Sequence, residues 1–158
     1  MPTSKSAIQK KFFVLTGIFI NLVRLWTYLN NIDLHPMAGY SVINYKGTEI
    51  AYIDYRGLKL EQMLQTLDDA VEIAIKRSQE GHPPRPLLTN ITGAFAVPEF
   101  MEKVKEAGKK TKHLTSKSAI VGITGAKKIL LQAYNLFTKL NTKIFDDEEL
   151  AKEWLIKE

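Results

Sequence analysis

The stretch Ser118-Ala119-Ile120-Val121-Gly122-Ile123 decides the fold class of this chain. Four of its six residues are Ala, Ile or Val, and three of them occupy successive positions, so both faces of an extended segment would be apolar. A strand of this kind is typical of the interior of a parallel sheet that helices cover. The stretch therefore predicts an α/β domain built around a central strand.

Upstream of this strand, extended and helical patterns alternate. Residues 40–45 and 50–55 are rich in β-branched and aromatic side chains and flank Lys46-Gly47, which predicts a hairpin. Residues 87–91 predict a further strand. Two helical patterns have inward positions at Leu60, Met63, Leu64, Leu67, Val71, Ala74 and Ile75, and, after Pro98, at Phe100, Met101, Val104 and Ala107.

Downstream, the same alternation continues to the end of the chain. A short strand is predicted at Lys143-Ile144-Phe145, and Asp146-Asp147-Glu148-Glu149 predicts the cap and acidic first turn of a helix. The inward positions of the two helices are predicted at Ile129, Leu130, Ala133, Phe137 and Leu140, and at Leu150, Ala151, Trp154 and Leu155. The order β-β-α-β-α-β-α-β-α predicts a mostly parallel sheet with right-handed crossovers, an N-terminal β-hairpin and about four helices.

Residues 1–36 have a different pattern and are predicted to be a separate N-terminal apolar helix, followed by a hinge and by a domain over residues 40–158. Apolar residues recur along one face of residues 8–29, at Ile8, Phe12, Leu15, Phe19, Leu22, Trp26 and Leu29. This stripe fits contact with a membrane surface, docking on the domain, pairing with a second copy as a homodimer, or an incidental extension before Met37. The protein is thus expected in the cytoplasm, with attachment to a membrane through this helix as an alternative.

Composition and charge exclude several classes of function. The 158 residues include no Cys, and the three His lie far apart, so no metal site and no cofactor are expected. Residues 1–37 contain four basic side chains and one acidic side chain, and residues 38–158 contain eighteen basic and sixteen acidic ones. Few aromatic residues lie among the basic side chains between residues 103 and 117. Since proteins that bind single-stranded nucleic acid stack its bases on aromatic side chains, nucleic acid is not an expected partner. They fit a solvated helix face, an anionic lipid or an acidic protein.

Several phrases resemble the STAS domains of anti-sigma-factor antagonists, and the small SpoIIAA-like family in particular. They are Ile53-Asp54-Tyr55-Arg56-Gly57-Leu58, Leu88-Thr89-Asn90-Ile91-Thr92-Gly93, Ala119-Ile120-Val121-Gly122-Ile123-Thr124-Gly125, and Phe145-Asp146 to Trp154-Leu155. The resemblance covers about residues 40–155 and implies a STAS-like fold and a regulatory or protein-interaction module. It also implies a phosphorylated Ser after the third strand, but this chain has Ala96-Val97-Pro98-Glu99 there, and Thr92 is the nearest hydroxyl. CRAL-TRIO domains, of similar topology, bind lipids.

Candidate ligand-binding residues follow from the predicted sheet, because ligands of open α/β sheets bind beyond the carboxyl ends of the strands. The sequence shows no pattern typical of a catalytic triad or of a pair of catalytic carboxylates, so the expected function is non-enzymatic. A weaker alternative is an enzyme that uses Asp54, Asn90 and Thr124. A protein partner is expected, and the alternative is a lipid or small anionic ligand held at the membrane. In the competing interpretation the Gly and Thr residues only form turns, and Asp54 pairs with Arg56. The candidates are Asp54, Arg56, Asn90, Thr92, Thr124, Gly125 and Lys127.

Overall fold

Residues 38–95, 97–125 and 127–157 are described by the computed structural model of the protein. The predicted N-terminal helix of residues 1–36 lies outside these described residues. Ala96, the first residue of the stretch where the resemblance implies a phosphorylated Ser, lies outside them as well. The boundary between the two predicted parts of the chain therefore stays a prediction.

The described part begins with a β-hairpin of β1 (Gly39–Tyr45) and β2 (Thr48–Asp54). Lys46 and Gly47 connect the strands, and both have positive φ, at 50° and 86°. A two-residue type I′ turn requires this conformation at both positions, and its twist matches the twist of paired strands. The hairpin predicted around Lys46-Gly47 is confirmed.

Three further strands and four helices complete the described fold. They are α1 (Leu60–Gln79), β3 (Arg85–Asn90), α2 (Pro98–Thr111), a 3₁₀ turn (Lys112–Leu114), β4 (Thr115–Val121), α3 (Lys127–Thr138), β5 (Lys143–Phe145) and α4 (Glu148–Ile156). The strands are ordered β1-β2-β3-β4-β5; β1 pairs with β2 antiparallel, and the other pairs are parallel. The predicted α/β class, its mostly parallel sheet and its element order are confirmed.

The sheet has two differently covered faces, because successive residues of a strand point to opposite sides. Ile53 of β2 packs with residues of α1 and α2, and Ile120 of β4 packs with α3. Tyr52 and Ala119 point the other way and pack with α4. The three crossover helices thus share one face, as expected where all crossovers have the same hand.

Some predicted inward positions are wrong. The exposed ones are Ile75, Ile129, Leu130, Ala133, Phe137 and Leu150. Phe137, predicted to be core, is 46% exposed. On α3 the buried side chains are Leu131 and Thr138 instead. Apolar residues occur on the outward side of α3 as well as on the side that packs on the sheet, so its hydrophobic pattern alone does not identify the inward side.

The central strand also ends earlier than predicted. Gly122 follows β4 with a φ of 81°, which takes the chain out of the extended conformation, so Ile123 lies in the loop after the strand.

None of the helices in the described ranges is long and apolar enough to cross a membrane.

Candidate functional site

The predicted rim site begins with Asp54, the last residue of β2, whose neighbour in β3 is Asn90. Asp54 is only 2% exposed. Its Oδ1 accepts hydrogen bonds from the backbone N and the Nε of Arg56, and its Oδ2 accepts one from Arg56 Nη2 at 2.6 Å. These hydrogen bonds, which stabilise the charged guanidinium, raise the pKa of Arg56. The carboxylate is therefore held by its own loop.

Asn90, at the end of β3, belongs to a second group of hydrogen bonds. Its Nδ2 donates to Glu148 Oε1 at 2.5 Å, and its Oδ1 accepts from the backbone N of Thr92 at 2.9 Å. Tyr52 Oη donates to the same Glu148 oxygen at 2.8 Å. Burial, followed by the bond to Glu148, raises the pKa of Tyr52, so this hydroxyl keeps its proton. The group joins the first turn of α4 to β2 and β3.

Sequence reasoning did not select Glu148. The sequence predicted it only as part of the acidic first turn of the last helix, and no local pattern indicates which residues that helix contacts. Only the packing of α4 on the face opposite α1 to α3 brings this carboxylate to Asn90.

The remaining rim candidates lie on neighbouring loops. Thr92, Thr124 and Gly125 are exposed. The loop after β4 passes so close to Thr92 at Gly122 that a side chain at Gly122 would overlap Thr92. Lys127, at the start of α3, donates from Nζ to the backbone O of Ala94 at 2.7 Å. Of the rim candidates, Asp54, Asn90 and Lys127 thus direct their side-chain hydrogen bonds to the protein itself.

A cavity of about 370 Å³ lies beneath the three crossover helices. The sheet contributes Ile53, Leu87 and Ile120 to its wall, the loop after β3 contributes Ile91, and the helices contribute Met63, Leu67, Phe100, Val104 and Leu131. Its volume is within the range of roughly 300–1,000 Å³ that is usual for small-molecule sites. Of the seven predicted site residues, Lys127 lines this cavity and the other six do not.

The cavity extends between the two edges of the sheet. Ala94, Phe95, Lys127 and Leu130 line it at the edge where the parallel strands end, and Phe95 is 77% exposed. Arg77, His82, Arg85, His113 and Thr115 line it at the edge where those strands begin. β4 has seven residues, so the two edges are about 20 Å apart. The space is therefore elongated.

Three tyrosines line the cavity, namely Tyr40, Tyr55 and Tyr134, and the pKa values of the last two are raised. Burial raises the pKa of Tyr134 to about 12 and raises that of Tyr55, so both phenols are neutral at physiological pH. Tyr55 packs edge-on against Phe100, with ring centroids 5.2 Å apart. Both tyrosines therefore leave the wall without negative charge.

The sequence did not predict the cavity, although small residues on the inward faces of α1 and α2 signal its presence. Ala70, Ala74 and Ala107 all line it, and none of them has a side chain long enough to fill the space beneath its helix. No group of three His, Asp or Glu side chains able to hold a metal occurs among the described residues.

Comparisons with known proteins add one structural similarity. Protein-family models give no match to this chain, and curated protein sequences give none either. A similar solved structure is described as an anti-sigma-factor antagonist (STAS) domain protein from Planctomyces limnophilus. It has 14% sequence identity and a TM-score of 0.48, over 73% of this chain and 97% of that chain. A similarity of this size carries no conclusion about the function of the present chain.

Proposed function

We propose that the domain is a non-catalytic binding module that holds a lipid in the cavity beneath α1, α2 and α3. The observation that carries this proposal is the cavity itself, an elongated space of about 370 Å³ with an apolar wall. Burying a long apolar chain in such a space removes it from water, which is the main driving force for binding of this kind. The proposal corresponds to the lipid alternative from the sequence.

Binding without catalysis is supported by the state of the rim carboxylates. Asp54 accepts four hydrogen bonds from Arg56, and Glu148 accepts from Tyr52 and Asn90. A general acid or base must reach its substrate and exchange a proton with it. Carboxylates whose oxygens are already engaged in this way act as structural groups.

A regulatory role through a protein partner is a second candidate, favoured by the outer face of α3. Ile129 and Leu136 on this helix are exposed, the latter by 81%. Lys109 of the neighbouring α2 has its Nζ 4.0 Å from the ring centroid of Phe137. Apolar groups beside lysines fit a partner with an apolar patch and acidic neighbours. We propose that the partner of such a module responds to the bound ligand, because residues 96–99 contain no hydroxyl that could carry a phosphate.

Membrane contact is a further part of the proposal, and it rests on the sequence of residues 8–29. Their apolar stripe, flanked by Lys10, Lys11 and Arg24, has the composition of an interfacial helix that binds anionic lipid. Such a helix would bring a lipid-binding module to its source of ligand.

The experiment for the lipid site fills the cavity with a larger side chain. Ala74→Phe places a ring on α1 where Ala74 lines the cavity, and Ala133→Phe places the same ring on the exposed face of α3 as a matched control. Binding of radiolabelled hexadecanoic acid and hexadecanol to the full chain is measured by equilibrium dialysis. We expect Ala74→Phe to weaken binding by about tenfold or more, a loss of about 1.4 kcal/mol, and Ala133→Phe to leave it unchanged.

Thermal unfolding of both variants, followed by circular dichroism, shows whether each has kept its fold. A wild-type chain that retains neither alkyl compound would refute the lipid site. Unchanged binding by a folded Ala74→Phe would refute the location of that site.

A further inference from the structure

The charged side chains that line the cavity all have the same sign. Arg77, Arg85 and Lys127 contribute positive charge, and none of the described lining residues is Asp or Glu. A cavity that binds a neutral ligand does not require charged side chains in its wall. Such side chains are costly beside an apolar space, because water does not solvate them there. The cationic lining therefore points to a ligand that is apolar over most of its length and negatively charged at one place.

Arg85 opens β3 at the edge where the parallel strands begin. Its side chain is only 12% exposed, and its Nη2 lies 2.6 Å from Oε2 of Glu49, which is largely exposed on β2. Its Nε is buried and has no hydrogen-bond partner among the described residues. Glu49 thus pairs with one edge of the guanidinium, and the buried Nε–H has no acceptor in the described part of the chain.

Arg77 lies in the last turn of α1, which returns to the same edge of the sheet. Its Nη2 makes a long contact of 3.4 Å with the carbonyl of Pro83, and its carbonyl accepts from the backbone N of His82. Its Nε is also buried without a partner in the described part of the chain. Buried N–H groups of charged side chains are nearly always hydrogen-bonded, so two such groups on one cavity call for an acceptor.

The opposite end of the cavity has a different character. Lys127 is already engaged, because its Nζ donates to the carbonyl of Ala94. Phe95 and Leu130 beside it are apolar and exposed. This end suits the tail of a ligand better than its charged head.

We propose that the arginine end, defined as Arg77 and Arg85, binds the anionic head group of a long-chain lipid whose tail runs toward Phe95. Carboxylate and phosphate oxygens both accept the charge-assisted hydrogen bonds that guanidinium N–H groups donate. The inference rests on the proposed function, and it adds the chemical class of the ligand and its direction in the cavity.

The test compares three compounds that have the same sixteen-carbon chain and different heads. Hexadecanoic acid, hexadecyl phosphate and hexadecanol are each titrated into the full chain by equilibrium dialysis below the concentration at which they aggregate. We expect at least one of the anionic compounds to bind about tenfold tighter than hexadecanol or more. The anion that binds better identifies the head group as carboxylate or phosphate.

Variants locate the head group. In Arg77→Gln with Arg85→Gln, the affinity for the anionic compound should fall by about tenfold or more, and that for hexadecanol should change less than about twofold. Lys127→Gln, the matched control at the opposite end, should leave both affinities unchanged. If the double variant fails to fold, Arg85→Lys keeps the positive charge and removes the Nε–H, and it should lower the affinity for the anion alone.

The outcomes distinguish a failure of the inferred head-group site from a failure of the proposed lipid site. Equal binding of hexadecanol and both anions by the wild type would overturn the inference and leave the lipid site standing. A preference for anions that is lost in Lys127→Gln and kept in the arginine variants would also overturn it. A chain that binds none of the three compounds refutes the proposed function itself.

Discussion

At the scale of single residues, Glu148 shows how a side chain acquires a role that its local sequence does not indicate. Its Oε1 accepts hydrogen bonds from both Asn90 and Tyr52, which belong to different strands. Glu149, the next residue, lies in the same first helical turn and pairs with Lys152 on the surface. The two glutamates therefore interact similarly with the helix dipole and differ in what their carboxylates bind.

Replacing Glu148 should for this reason destabilise the domain more than replacing its neighbour. Glu148→Ala leaves the Asn90 amide and the Tyr52 hydroxyl without their acceptor, and a buried polar group left unsatisfied costs about 1–3 kcal/mol. Glu149→Ala, the matched control, should change the free energy of unfolding by less than about 0.5 kcal/mol. Urea denaturation followed by circular dichroism measures both. Equal losses would mean that the buried hydrogen bonds contribute nothing beyond the helix dipole.

At the scale of secondary-structure elements, α3 is where the hydrophobic pattern is least informative. It turns Leu131 toward the sheet and leaves Ile129 and Leu136 exposed. An exposed apolar side chain costs little by itself, but several on one helix are typical of an interaction surface. The helix thus has two faces of comparable apolarity, one packed and one uncovered in the described part of the chain.

The protein partner proposed for this face can be tested by photo-cross-linking. A benzophenone amino acid replaces Leu136 in one full-length variant and Glu102, which is exposed on α2, in a control variant. After irradiation in the cells of origin, we expect a discrete cross-linked species with Leu136 replaced and none with Glu102 replaced. A mass twice that of the chain would identify the partner as a second copy.

Adding Ile129→Glu to the Leu136 variant should abolish the cross-link, because it places a charge on the apolar face. A cross-link that persists, or one that forms equally from residue 102, would contradict a specific surface on α3.

At the scale of the whole molecule, the three crossover helices enclose a cavity on one face of the sheet, and the segment before the domain has its own apolar stripe. The two features are compatible with one activity, namely exchange of a lipid between a membrane and a protein cavity. The stripe is known from sequence alone, so its role is open to a direct test with membranes.

The membrane proposal predicts that the full chain sediments with vesicles rich in anionic lipid. Phe19→Glu with Trp26→Glu should release it, because each large apolar side chain contributes about 1.5–3 kcal/mol when buried and each new carboxylate is repelled by the anionic surface. Asn21→Glu with Thr27→Glu adds the same charge away from the stripe and serves as the matched control.

Vesicle co-sedimentation measures the bound fraction, and sedimentation velocity measures the oligomeric state. Wild-type protein that ignores the vesicles, together with a double Phe19 and Trp26 variant that loses a dimer, would reassign the stripe to self-association.

The sequence by itself determined the α/β class, the order of the elements and the hairpin at Lys46-Gly47. These depend on local properties: β-branched content, helical spacing, and the positive φ that a tight turn requires. The alternation of strands and helices then leaves few topologies open, so the mostly parallel sheet followed as well. The same topology brings Asp54 next to Asn90 at the ends of β2 and β3.

Only the tertiary structure decided which of the charged residues face the cavity. Arg77 and Arg85 are eight positions apart on different elements, and each has an ordinary surface sequence around it. Their shared end of the cavity depends on how α1 returns to the sheet and on how much space Ala70 and Ala74 leave beneath the helix. Volume enclosed between packed elements is a sum over many side chains from distant parts of the chain, and no local pattern encodes it.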